Sequence, residues 1–207
     1  MKPHDIERLS FKIIEEETGS HPFSEEQWPI VRRMIHTSAD FDYLKTVRFH
    51  PEAITAGRAA IRSGKTIVTD TNMARVGLRK RDLAYFGVET VCLMADPRVA
   101  EIAIDTGTTR ARAAVDAALA IIEDGIYVVG NAPTALLRLV ERVKAKAARP
   151  ALIVGLPVGF VNAVESKDAL MELDCPYISN VGRKGGSNIA ASVVNALAIM
   201  TRNQYYP

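Results

Sequence analysis

The sequence predicts an α/β fold of three layers, with a mainly parallel central sheet between two layers of helices. Four short apolar runs, "TIVTD" (66–70), "TVCLM" (90–94), "IYVVG" (126–130) and "ALIVG" (151–155), are rich in β-branched residues and lack in-out alternation. Such runs belong to strands covered on both faces. Between them lie stretches of helical period, and strands joined by helices of this length form right-handed crossovers and pair in parallel. The 207 residues, 48% hydrophobic and 24% charged, hold no repeat, low-complexity tract or linker. One domain over residues 1–207, with a core of its own, is the expectation.

The first well-marked helix begins near Ser24, whose hydroxyl and Gln27 three residues on match a capping box. Trp28, Val31 and Ile35, with Met34 beside them, form its core stripe, so Arg33, His36 and Thr37 fall on the other side. "TRARAAVDAALAIIEDG" opens on a threonine and ends at Asp124-Gly125, and "APTALLRLVERVKAKAARP" stops before Pro150. "SNIAASVVNALAIM" is apolar nearly all round, which predicts burial against the sheet or against a second subunit.

In open α/β sheets ligands sit beyond the carboxyl ends of the strands. The loops after Val68, Leu93, Val129 and Val154 are rich in Gly, Pro, Asn and Thr, and most lead into helix starts whose free N–H groups favour anions. The net charge of +2 is too small for a nucleic-acid binder acting through counterion release, yet it allows local basic patches at Arg79-Lys80-Arg81 and Arg183-Lys184. Cys92 and Cys175 lie far apart and outside any zinc or redox spacing, so they read as structural thiols. "MKPHDIERLS" carries no signal-peptide core and no segment approaches the ~18 apolar residues of a membrane span. A cytoplasmic protein with no membrane partner is expected.

His36 ends the first marked helix, in "RRMIHTSADFDY". It is either a surface histidine stabilised by the helix dipole or an acid whose proton affinity that dipole raises, with Asp40 and Asp42 as possible helpers or as a solvated acidic turn. Gly185-Gly186 ahead of Ser187 reads as a close backbone approach or as a tight turn for packing. The phosphate-loop order is absent because Lys184 precedes the glycines, and no G-x-S-x-G elbow supplies a hydrolase nucleophile.

Taken together, "MIHTSADFDY", "TDTNMARVGL", "GTTRA", "GLPVGFVNAVESK" and "GRKGGSNIAASVVNAL" occur in the order and spacing of the precorrin-8X methylmutases of corrin-ring biosynthesis, which the chain resembles over nearly its whole length. The resemblance implies an isomerase that moves a methyl group between neighbouring carbons of ring C of precorrin-8 or cobalt-precorrin-8, giving hydrogenobyrinate or cobyrinate. It also implies a homodimer, a polycarboxylate tetrapyrrole as substrate, and no methyl donor or bound cofactor, and no metal-ligand cluster is visible in the sequence. By that resemblance His36 protonates the ring-C nitrogen, and Ser10, Arg33 and Arg110 contact substrate. A guanidinium suits a macrocycle edged with carboxylates. A non-catalytic corrinoid-binding protein and a methyltransferase with a sulfonium donor are the competing readings. The glycine-rich first loop of the latter is missing after "TIVTD".

Overall fold

The computed structural model describes residues 3–202. Two helices, α1 (Pro3–Thr18) and α2 (Trp28–Ser38), lead through the helical turn α3 (Tyr43–Thr46) into strand β1 (Val47–Phe49). Then come α4 (Ala53–Arg62), β2 (Ile67–Thr69), α5 (Asn72–Gly77), α6 (Lys80–Ala84), β3 (Thr90–Val91), α7 (Pro97–Asp105) and α8 (Arg110–Ala118). β4 (Ile126–Val129), α9 (Pro133–Lys144), β5 (Leu152–Gly155), α10 (Ala163–Met171), β6 (Tyr177–Asn180) and α11 (Ser187–Thr201) complete the order.

The sheet runs β1-β6-β5-β4-β2-β3, with every pairing parallel except the antiparallel pair β1 and β6. Alternate strand residues serve opposite faces. Ile67, Val128, Leu152, Val154 and Ile178 pack under α2, α4 and α11, whereas Val68, Tyr127, Val129 and Ile153 pack under α8, α9 and α10. The three-layer α/β architecture therefore agrees with the expectation, and α1 is laid on α2 outside the first helical layer through Phe11 and Ile14.

Several details differ from the expected elements. β1 and β6 carry no apolar run: one is three residues long, and the other holds the buried polar pair Ser179 and Asn180. The run 90–94 is strand only at Thr90–Val91, because Leu93 and Met94 leave the sheet edge to pack on the α7–α8 pair. The Ser24–Gln27 capping box forms in both directions, at 3.2 and 3.1 Å, but it closes a preliminary turn and regular helix starts at Trp28. α11 is buried by α2, α4 and α5 of its own chain, so its apolar girth is explained without a second subunit.

The loops beyond the carboxyl ends of β2, β4, β5 and β6 converge. Asp70 accepts the backbone N–H groups of Gly130, Asn131 and Ala132 at 3.0, 2.8 and 2.7 Å, pinning the β4–α9 loop to β2. A Cβ on Gly185 would lie 2.2 Å from the carbonyl oxygen of Leu156, and one on Gly130 would lie 2.6 Å from Cα of Ser187. Only glycine permits these approaches. The close approach expected of the Gly185-Gly186 pair is therefore made to the chain's own β5 loop. Because β1 runs antiparallel to β6, with Val47 opposite Asn180, the end of α2 is brought to this same edge. Among the described residues no helix is long and apolar enough to cross a membrane.

Candidate active site in the cleft between the first two helices

α2 presents two surfaces. Ile30, Val31, Met34 and Ile35 are buried in the core, and His36 and Thr37 are exposed. The other flank of α2 meets α1 at Phe11, a buried ring on which three side chains of α2 converge. The Arg32 guanidinium lies 4.3 Å from the ring centroid, the Arg33 guanidinium 5.5 Å, and the His36 ring meets it edge-on at 5.1 Å. Such cation–π and edge-to-face contacts fix orientation as well as contributing energy. Arg32 is buried and ion-paired with Glu15. Arg33 donates to Glu7 at 2.7 Å.

Beside this junction lies a cleft of about 300 Å³, lined by Ser10, Ile13, Ile14 and Glu17 of α1 and by Ile35, His36, Ala39 and Phe41. The Ser10 hydroxyl donates to the Ile6 carbonyl at 2.9 Å, which leaves its oxygen lone pairs for a second partner. The structure thus brings Ser10 and His36 into one cleft, with Arg33 three residues before His36 on the same flank of α2. Arg110 is elsewhere. It is the first residue of α8, exposed, in the helical layer on the opposite face of the sheet, beside the start of α9, where Thr109 Oγ1 reaches Thr134 Oγ1 at 3.4 Å.

The electrostatics correct one expectation. The pKa of His36 is lowered below 6.5, first by partial burial and then by the nearby Arg33 charge, with Glu7 acting in the opposite sense. The helix-end carbonyls that should have raised it are already occupied. Ala39 N–H, in a left-handed cap, bonds Ile35 O at 2.7 Å, and Ser38 Oγ bonds Met34 O at 2.8 Å. Asp40 and Asp42 are not helpers of His36 either: both accept from Lys184 Nζ, each at 2.6 Å. Lys184 holds the Asp40 carboxyl below its usual range and is itself raised by the pair. It is therefore not a free cation for a ligand. Arg79 of the other basic cluster is likewise tied to Asp82, which Arg202 also contacts at 2.6 Å.

The loop carrying Lys184 is itself held from below by a group that the sequence did not single out. Lys167 in "NAVESK" has no exposed surface, and its Nζ donates to Asn180 Oδ1 at 3.2 Å and to the Lys184 carbonyl at 2.9 Å. Burial lowers its pKa to about 8. Phe11 and Glu7 were also missed, since nothing in local spacing tells that α1 docks across the arginine flank of α2.

The family model of precorrin-8X methylmutases matches residues 5–200. The chain belongs to this family. A cobalt-precorrin-8 methylmutase from Priestia megaterium is 47% identical over 97% of this chain and 89% of its own length. A precorrin-8X methylmutase from Sinorhizobium sp. is 38% identical over 93% of this chain and 92% of its own. The crystal structure of precorrin-8X methyl mutase from Thermus thermophilus superposes with a TM-score of 0.90 at 46% identity, covering 97% of both chains. As a member of the precorrin-8X methylmutase family the chain is an isomerase, an intramolecular transferase of cobalamin biosynthesis. The competing corrinoid-binding reading finds no support among these relatives, all of which are named as methylmutases.

Proposed function

We propose that the cleft between α1 and α2 seats ring C of a precorrin-8 macrocycle and that His36 is the acid of the methyl shift. The observation that carries this reading is the convergence of Ser10 and His36 on one cleft, with Arg33 beside them. A 1,5-sigmatropic methyl shift needs no external donor. It needs the macrocycle held in one geometry and tautomer, which a positioned acid and a shaped pocket supply. His36, as imidazolium, gives its proton to the ring-C nitrogen, and the proton returns once the methyl group has moved. Arg33 binds a peripheral carboxylate and Ser10 hydrogen-bonds the same edge of the ring.

A cleft of about 300 Å³ lies at the small end of ligand sites and seats an edge of a tetrapyrrole, leaving most of the ring outside. A second copy closing over it supplies the missing wall. Ile6, Leu9 and Ile13, an exposed apolar stripe on α1 beside the cleft, support such a homodimer. In that dimer Arg110, across the sheet from its own cleft, contacts the macrocycle held by the partner. The enzyme acts in the cytoplasm as one domain spanning residues 1–207.

The test is conversion of the precursor by purified protein without any methyl donor, followed by absorption and mass spectrometry. A spectral change at constant mass is expected. Binding with no spectral change would instead leave a corrinoid carrier, and turnover that appears only after a sulfonium donor is added, with a mass gain of one methyl group, a methyltransferase.

A further inference from the structure

Glu7 places a carboxylate on the residue proposed to bind the substrate's carboxylate. The Glu7–Arg33 pair lies about one helical turn from the cleft, each member three positions before a lining residue on its own helix, Ser10 on α1 and His36 on α2. Of the two arginines on Phe11, Arg32 keeps 6% of its side-chain surface and Arg33 12%, and Glu7, the partner of Arg33, keeps 32%, so water and ligand reach the Arg33 pair. Glu7 sits in the first half of α1, ahead of the anchoring Phe11 and Ile14, so its side chain can turn to water without undocking the helix. A guanidinium recognises a side-chain carboxylate and a peripheral acetate or propionate by the same charged hydrogen bonds.

We propose that Glu7 is an internal stand-in for substrate, holding Arg33 in its binding geometry until a macrocycle carboxylate displaces it. The inference rests on the reading of Arg33 as a substrate contact. It makes Glu7 a determinant of affinity with two opposed effects. Its hold on Arg33 opposes binding, and its negative charge near His36 favours the imidazolium, against the effect of Arg33. Removing the charge should therefore tighten binding and slow the proton transfer.

The experiment is a titration of wild type, Glu7→Gln, Arg33→Ala and the double variant with hydrogenobyrinate, the product, which carries the same peripheral carboxylates and does not turn over. Partly exposed ion pairs contribute little, so Kd in Glu7→Gln should fall about two- to fivefold. The gain should vanish when Arg33 is already alanine, and kcat at neutral pH should fall. Unchanged or weaker binding in Glu7→Gln, while Arg33→Ala binds poorly, overturns the stand-in and leaves the function intact. Tighter binding that persists in the double variant also overturns it, since Glu7 then acts by general repulsion. If Arg33→Ala binds as well as wild type, the reading of Arg33 itself fails. Should Glu7→Gln melt early, Glu7→Asp tests the grip alone: its shorter arm loosens the hold on Arg33 while keeping the charge, so tighter binding with little change in kcat is expected, and unchanged binding overturns the stand-in.

Discussion

The acidity of His36 is set by two charged neighbours acting in opposite directions, Arg33 lowering its pKa and Glu7 raising it. Partial burial, with the Phe11 ring against one edge, and the Arg33 charge prevail and lower the pKa below 6.5, which favours the neutral imidazole over the imidazolium in the free enzyme near neutral pH. If that imidazolium is the acid, kcat/KM is flat at low pH and falls as pH rises, with a midpoint below 6.5, since this ratio reports ionisation in the free enzyme. A pH–rate profile checks this; a midpoint above 6.5 would mean that the helix dipole dominates after all. At the same scale, Arg33→Ala should weaken macrocycle binding by about 1.5–3 kcal/mol, the usual cost of losing a charged hydrogen bond, with little loss of melting temperature. Equilibrium titration beside a thermal melt separates the two. That His36 and Arg33 lie off the core of their helix was legible from the spacing of Val31, Met34 and Ile35. The burial of Arg32 was not legible, because Phe11 and Glu15, which enclose it, come from a helix whose docking no local pattern announces.

The elements show the same division. The buried parallel strands β2, β4 and β5 and the start of the half-buried edge strand β3 could be read because each lies in an apolar run between turn residues. β1 and β6 could not: Ser179 and Asn180 look like loop residues until Ser179 Oγ is seen donating to Gly155 O at 2.7 Å and Asn180 accepting from Lys167. That lysine ties α10 and β6 to the Lys184 loop, and Lys184 in turn holds the Asp40–Asp42 turn beyond α2. Lys167→Met removes the donor from the buried Asn180 Oδ1, at a cost of about 1–3 kcal/mol for an unsatisfied acceptor, while the Lys184 carbonyl keeps the Asn180 Nδ2 donor at 3.0 Å, so a clear fall in denaturant midpoint is expected. The pH dependence gives a second readout. With a folded pKa of about 8 against 10.5 in the unfolded chain, the unfolded state binds more protons between these values. Stability contributed at this site therefore rises with pH over that window. The neutral amine still donates both hydrogen bonds. Wild type should thus gain stability relative to Lys167→Met from pH 8 to pH 10, and a difference independent of pH would show that Lys167 titrates normally.

For the whole molecule, the placement of Arg110 on the far face of the sheet from its own cleft makes the dimer testable through function. Arg110→Ala and His36→Ala should each be impaired alone. Mixed after unfolding and refolding together, they should recover up to about a quarter of wild-type activity, because half of randomly formed dimers are hybrids and each hybrid holds one intact site. No recovery, with a monomer in sedimentation, would confine the site to one chain. The α/β architecture was legible from composition and strand runs, whereas the cleft was not, since it is made where an N-terminal helix is added outside the layered fold. The central claim is that His36 in this cleft is the acid of an intramolecular methyl shift. It is tested most directly by comparing wild type and His36→Ala for conversion of the precursor without methyl donor, with macrocycle binding measured on the same samples. A positioned acid contributes about 10²–10⁴-fold to rate, so conversion should fall by that factor while binding and melting temperature stay close to wild type. Conversion at the wild-type rate in His36→Ala would contradict the account.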